Sequence, residues 1–189
     1  MFHRYKRLVF VIAFLSLLLG IFQLSGLRGN FNLVFLHQQF VDNAFTGLLV
    51  FMALFALGNL IQIPGWIFLA AAVISLDRFW GGLATYLAAM VSCAFTFWVI
   101  RSIGGDSLRQ IKNSYAVRVL SSLDKHPVLA VSILRLLMQT APALNYALAM
   151  SGIKFRYYLI GTLIGLPIPI ALYCLFFDYI ATALHIGWH

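Results

Sequence analysis

"GNLIQIPGWIFLAAA", residues 58–72, sets a Pro-Gly pair inside an almost wholly apolar run. Pro64 lacks a backbone donor and Gly65 frees the next turn, so a helix is expected to stop there. Broken backbone in hydrocarbon is costly unless protein or a water-filled cavity satisfies its polar groups. The stretch therefore raises two questions: whether the chain lives in a membrane, and why a helix would end at depth.

Composition answers the first. The chain has 189 residues, 62% of them hydrophobic and 10% charged, where a soluble domain carries about 25% charged residues. A water-soluble fold of this size cannot hide so much apolar surface. The expectation is an all-α, polytopic integral membrane protein. Thirteen Lys or Arg face five Asp and no Glu, a net charge of +8. No aromatic-and-basic nucleic-acid surface accompanies that charge. Positive-inside bias and anionic lipid headgroups explain it more simply. Cys93 and Cys174 lie in apolar segments and read as small core residues. The histidines at 3, 37, 126, 185 and 189 lack metal-ligand spacing. There is no Ser/His/Asp arrangement, P-loop, Rossmann glycine pattern or zinc motif. No catalytic residue, metal or cofactor is expected, and the chain is not read as an enzyme.

Working outward from the break, residues 44–62 form an apolar run leading into it. Residues 65–76 form an apolar arm after it, only about 18 Å long as a helix. That arm is too short for a core of roughly 30 Å. Residues 79–100 make a full span. Trp80 and Trp98 stand about 27 Å apart along it, one near each interface. Residues 101–126 are polar and read as an amphipathic cytoplasmic linker. Residues 127–152 are apolar again and broken at Pro142, with Pro127 suiting a helix N-terminus. Residues 157–177 make a second full span, bent by Pro167 and Pro169. Upstream, basic "FHRYKR" precedes the apolar run 8–27, read as a retained signal anchor with its N-terminus inside. Phe31, Val34 and Phe35 suggest a short interfacial helix within 28–43. The expected organisation is thus 1–43, anchor and interfacial segment, then one membrane domain over 44–189.

The break occurs twice. Gln62 and Pro64 in "LIQIPGWIF" are matched by Gln139 and Pro142 in "LMQTAPALNY", and each Pro is followed fourteen residues later by an Arg, Arg78 and Arg156. Paired interrupted segments in two halves are the sequence sign of inverted-repeat transporters and point to the binding site. Two re-entrant hairpins, 44–76 and 127–152, are expected to enter from opposite faces and meet near the midplane. With the N-terminus inside, ten cations lie inside: Arg4, Lys6, Arg7, Arg101, Arg109, Lys112, Arg118, Lys125, Lys154 and Arg156. Only Arg28 and Arg78 lie outside. A full crossing by 44–62, which is long enough for one, would move the basic linker outside, against the positive-inside rule.

With these residues in view, the chain resembles the DedA/VTT-domain superfamily, also called the SNARE-associated Golgi protein family. The first half carries Pro64-Gly65, Gly81-Gly82, and "FWVIRSIGG" with Phe97, Arg101 and Gly104. The second half carries Arg135-Leu136, Pro142, Asn145-Tyr146, Gly152, and "YYLIGTLIGLP" with Gly161, Thr162, Gly165 and Pro167. The resemblance covers about 58–178. Met138 stands where many members have Pro, and Trp66 stands where a branch read as proton-coupled often carries Glu. The resemblance implies lipid translocation: scrambling or flipping of phospholipids or of polyprenyl phosphate carriers such as undecaprenyl phosphate. It also implies a multi-pass protein of a bacterial inner membrane, with membrane lipids, anionic phospholipid or lipid phosphate, as partners. A homo-oligomer stays open.

Arg135 is the most informative residue. It lies about 12 Å along the arm that begins at Pro127, and an Arg at depth is a functional-site hypothesis. Its guanidinium suits a phosphate headgroup bidentately; alternatively it ties down carbonyls at the hairpin tip. Gln62, Gln139 and Asn145 either line a headgroup path or satisfy broken backbone. Arg101 reads as an interfacial anchor or a second headgroup contact. Tyr146 and Trp66 read as packing or interface residues, and Gly161 and Gly165 as a small-xxx-small helix contact. The rivals are a proton- or ion-coupled small-solute transporter, which would need a carboxylate near the midplane, and a non-transporting scaffold or assembly factor.

Overall fold

The computed structural model describes residues 9–11, 13–14, 16–17, 44–110, 114–138 and 141–183. The interfacial segment 28–43, most of the anchor and Gln139 lie outside the described residues. Among those described, only helices and turns occur. They are α1 (Ala44–Leu60), α2 (Gly65–Leu76), α3 (Arg78–Gly104), a 3₁₀ turn (Ser107–Gln110), α4 (Ser114–Lys125), α5 (Pro127–Met138), α6 (Pro142–Ala149), α7 (Phe155–Gly165) and α8 (Pro167–Ala183).

Two stretches are long and apolar enough to cross a membrane, Arg78–Gly104 and Phe155–Ile180. Their outer faces are apolar. On α3 a stripe of Phe79, Leu83, Leu87, Val91, Phe95 and Trp98 is exposed at helical spacing, and Ile168, Leu172, Leu175 and Tyr179 are exposed on α8. A continuous apolar exterior of this extent marks a membrane-facing surface. The buried faces instead hold small and polar side chains, including Ser92, Thr96 and Thr162, as helix contacts in lipid favour.

The first break is built one turn earlier than the Pro-Gly pair. The Ile63 amide donates to Gly58 O (2.8 Å) and the Gln62 amide to Asn59 O (3.3 Å). These are the two bonds of a Schellman stop. Gln62 takes the left-handed position, φ 68°, usually held by Gly. Pro64 is extended (φ −61°, ψ 133°) and caps α2, so Gly65 is its first helical residue. The chain then turns back, and the Phe68 ring packs on Phe55 with centroids 4.9 Å apart. A single residue, Asp77, links α2 to α3. Its carboxylate accepts from the amides of Phe79 (2.6 Å) and Trp80 (3.1 Å), capping α3.

In the second half, α5 lies hard against α7. A Cβ on Gly161 would stand 2.6 Å from Val131 Cβ, and one on Gly165 2.7 Å from Arg135 Cβ. The Gly161/Gly165 pair is thus a helix contact. Pro167 deprives Leu163 O of its helical donor, and the Tyr86 hydroxyl of α3 donates to that carbonyl at 3.1 Å.

Packing crosses between the halves. Both α1 and α2 lie along α3, but α2 also packs on α8 and α6 packs on α3. The linker is clamped to the second half by Arg109. Its Nε donates to Ser151 O (2.7 Å) and its Nη groups to Asp124 (2.6 and 3.2 Å). The guanidinium holds the Asp124 carboxyl below the usual carboxylate range, mainly through that hydrogen bond. Leu120 and Leu123 of α4 are buried, whereas Val117 and Val119 are exposed.

Candidate functional site

Two apolar clusters divide α3. Ala84, Ala88 and Ala89 pack with α1, α2 and α8, whereas Phe97 and Ile100 pack with α5, α6 and Tyr158. Ser92 and Cys93 lie at the junction, and there the ends of the two interrupted segments meet.

The contact is polar and buried. Asn145 Nδ2, in the first turn of α6, donates to Asn59 Oδ1 in the last turn of α1 (3.0 Å). Asn59 Nδ2 donates to Ser92 Oγ (2.8 Å), and Ser92 Oγ to Phe55 O (3.4 Å). The Tyr146 hydroxyl reaches Asn59 O (2.8 Å) and Leu60 O (3.0 Å). Those carbonyls belong to the last turn of α1, where helical donors run out. Tyr146 therefore caps a helix from the opposite half of the chain.

Arg135 joins this network from α5. It is 1% exposed. Close packing against Gly165 sets its side chain over the Tyr158–Thr162 face of α7. Nη2 donates to the Tyr158 hydroxyl (2.8 Å) and Nε to Thr162 Oγ1 (3.3 Å), with the guanidinium carbon 5.3 Å from the Tyr158 ring centroid. Tyr158 passes the bond on to Cys93 O (3.1 Å) or Asn145 Oδ1 (3.3 Å). The donors thus run in one direction, Arg135 to Tyr158 to Asn145 to Asn59 to Ser92. Such chains strengthen one another in a low dielectric.

Among the described residues, no carboxylate lies within ion-pair distance of Arg135; its hydrogen bonds to Tyr158 and Thr162 meet uncharged hydroxyls. Arg135 lines a cavity of about 30 Å³ with Asn59, Cys93, Asn145, Gly65 and Pro142. That volume suits about one water. Both breaks contribute to its wall.

The expected site residues separate into two groups. Arg135, Asn145, Gly65 and Pro142 come together at this cavity. Gln62 is exposed and serves the turn through its backbone. Arg101 sits eight residues beyond Cys93, about 12 Å along α3. There it pairs with Asp106 (2.7 Å) and donates to Ala149 O (3.0 Å), satisfying the end of α6. Gln139 falls outside the described residues. Asn59, Ser92, Tyr158 and Thr162 were not among the expected residues. Asn59 carried a signal, a lone amide in the last turn before a break, but its partner lies 86 residues away.

No group of three or more His, Cys, Asp or Glu able to hold a metal occurs among the described residues. Of the comparisons with known proteins, the family model described as the VTT domain matches residues 63–179. No curated protein and no solved structure matches.

Proposed function

This chain belongs to the VTT domain family, the DedA superfamily, and from that premise we propose that it moves a phosphate-bearing lipid across a cell membrane without an enzymatic step. One observation carries the reading. Arg135, buried and without a carboxylate partner among the described residues, lines a cavity walled by both helix breaks. A buried cation costs several kcal/mol and is retained where an anion is to be met.

The helix lengths support two re-entrant hairpins. α1 has 17 residues, α2 and α5 have 12 each, and α6 has 8. The 12-residue arms are about 18 Å long, short of a roughly 30 Å core, while α1 stands at the lower limit for a crossing. The exchange of α2 onto α8 and α6 onto α3 fits an inverted repeat with its site at the repeat interface. In this arrangement the cavity is closed, since about 30 Å³ admits a water but not a phosphate group. Transport then requires the two breaks to part. The bonds that must open are Asn145 to Asn59 and Tyr146 to the α1 carbonyls. In the proposed topology the N-terminus and the basic linker face the cytoplasm of a bacterial inner membrane.

The test is reconstitution in liposomes with labelled phospholipid and, separately, labelled polyprenyl phosphate. Movement of either, lost in Arg135→Ala, supports the reading. Movement of neither, with or without a pH gradient, would favour a scaffold. Transport of a soluble solute under a proton gradient would favour the coupled transporter.

A further inference from the structure

A second cavity lies away from Arg135, on the apolar exterior between α3 and α8. It is a cleft of about 510 Å³ lined by Phe79, Gly82, Leu83, Tyr86, Ala171 and Leu175, with Arg78 at one end. That volume lies in the range of ligand sites. Gly82 keeps the floor low, because a Cβ there would stand 2.9 Å from Cys174 Sγ. From Arg78 to Tyr86 the cleft is about 12 Å long, close to one leaflet's half of a roughly 30 Å core. Phe79 and Trp80 are exposed beside its charged end, where aromatic side chains mark headgroup level.

That end carries both signs of charge. Arg78 Nη1 lies 3.5 Å from Asp178 Oδ2, with the Arg78 side chain well exposed and Asp178 less so. The separation is long for a charge-assisted bond, which runs about 2.7–2.9 Å. An exposed pair of this kind is weakly held. Tail-length cleft and two-signed mouth together describe one class of occupant. We propose that the cleft between α3 and α8 holds an ammonium-bearing zwitterionic phospholipid, its phosphate on Arg78, its ammonium on Asp178 and one acyl chain lying toward Tyr86.

The site stands apart from the transport reading, and its test reads bound lipid rather than movement. Protein purified in mild detergent is equilibrated with equal amounts of phosphatidylethanolamine and phosphatidylglycerol, washed, and analysed by native mass spectrometry. Retention of phosphatidylethanolamine over phosphatidylglycerol by up to roughly fivefold is expected, the size of an exposed ion pair lost. Arg78→Gln should lower phosphatidylethanolamine retention by a similar factor. Asp178→Asn should bring the two lipids to parity. Ala171→Phe fills the exposed cleft and should abolish retention with an unchanged melting temperature. Equal retention of both lipids by the unaltered protein, or undiminished retention in Ala171→Phe, overturns the proposal. So does a change of oligomeric state in Ala171→Phe with lipid retained, which would assign the cleft to a second copy of the chain. Loss of transport in Arg135→Ala with lipid retention intact would leave both readings standing, and loss of retention alone would remove only this one.

Discussion

At the scale of single residues, the question is what Arg135 does for the fold and what it does for a ligand. Its removal leaves the Tyr158 hydroxyl bonded, because that group still reaches Cys93 O and Asn145 Oδ1. It also relieves a buried charge. We therefore expect Arg135→Ala to insert, purify and melt no lower than the unaltered protein, yet to lose transport. Arg135→Lys keeps the charge but loses the fork, and should be impaired rather than dead. Melting temperature in detergent, measured beside liposome transport, separates the alternatives. A fall in stability in step with activity would assign Arg135 to the structure. A stable and fully active Ala variant would remove it from the site. Arg135 was legible in the sequence because charge is rare in apolar helices. Asn145 was legible because it follows a break. Asn59, Ser92 and Tyr158 were not. Each is an ordinary polar residue until folding brings α1, α3 and α7 against one another, and local spacing holds no record of contacts so far apart in the chain.

At the scale of elements, the turn between α1 and α2 was legible as a break, but the residue that makes it was not. Pro64 and Gly65 are the sequence's break signal, whereas the helix stops at the Schellman bonds around Gln62. A left-handed non-Gly residue costs roughly 1–2 kcal/mol, so Gln62→Gly should stabilise the protein by about 1 kcal/mol. Gln62→Val should destabilise it by at least as much, since a β-branched side chain fits that conformation worst. Thermal melts of both variants check the pair, and a stable Val variant would show that the turn is not held there. The linker offers an electrostatic case. Asp124 has its pKa lowered by Arg109, so the pair's contribution is present above the ordinary carboxylate value of about 3.9. It is lost as pH falls through the depressed one. Asp124→Asn should therefore melt slightly below the unaltered protein at pH 7, with the difference closing toward pH 3. A constant difference across that range would deny the ion pair a role. Arg109→Ala should cost more at pH 7, because it also frees Ser151 O.

At the scale of the molecule, the proposed hairpins would place both helix breaks at depth, and their contacts bear on how such ends are satisfied. The first break is not left to itself: Tyr146 of the second half caps α1 of the first, and Asn145 and Asn59 join the two across the seam. Satisfaction of the α1 carbonyls in this way is what makes broken backbone tolerable in a membrane. It also constrains topology. If α1 and α2 form a hairpin that returns to its own face, α3 is the first crossing after it. Its charged continuation, Arg101 through Lys125, then lies on the same face as the N-terminus. If α1 crossed fully, that segment would move outside and the charge bias would invert. Single cysteines decide the matter in a background with Cys93 and Cys174 replaced by Ala. Val117 and Phe79 are both exposed; Phe79 stands in the first turn of α3 and Val117 follows its C-terminal end in the chain. A membrane-impermeant maleimide applied to intact cells should label Phe79→Cys and spare Val117→Cys, which should react only after permeabilisation. The reverse pattern would mean that α1 crosses, that the hairpin reading of the first half fails, and that Arg135 approaches the cavity from the other face.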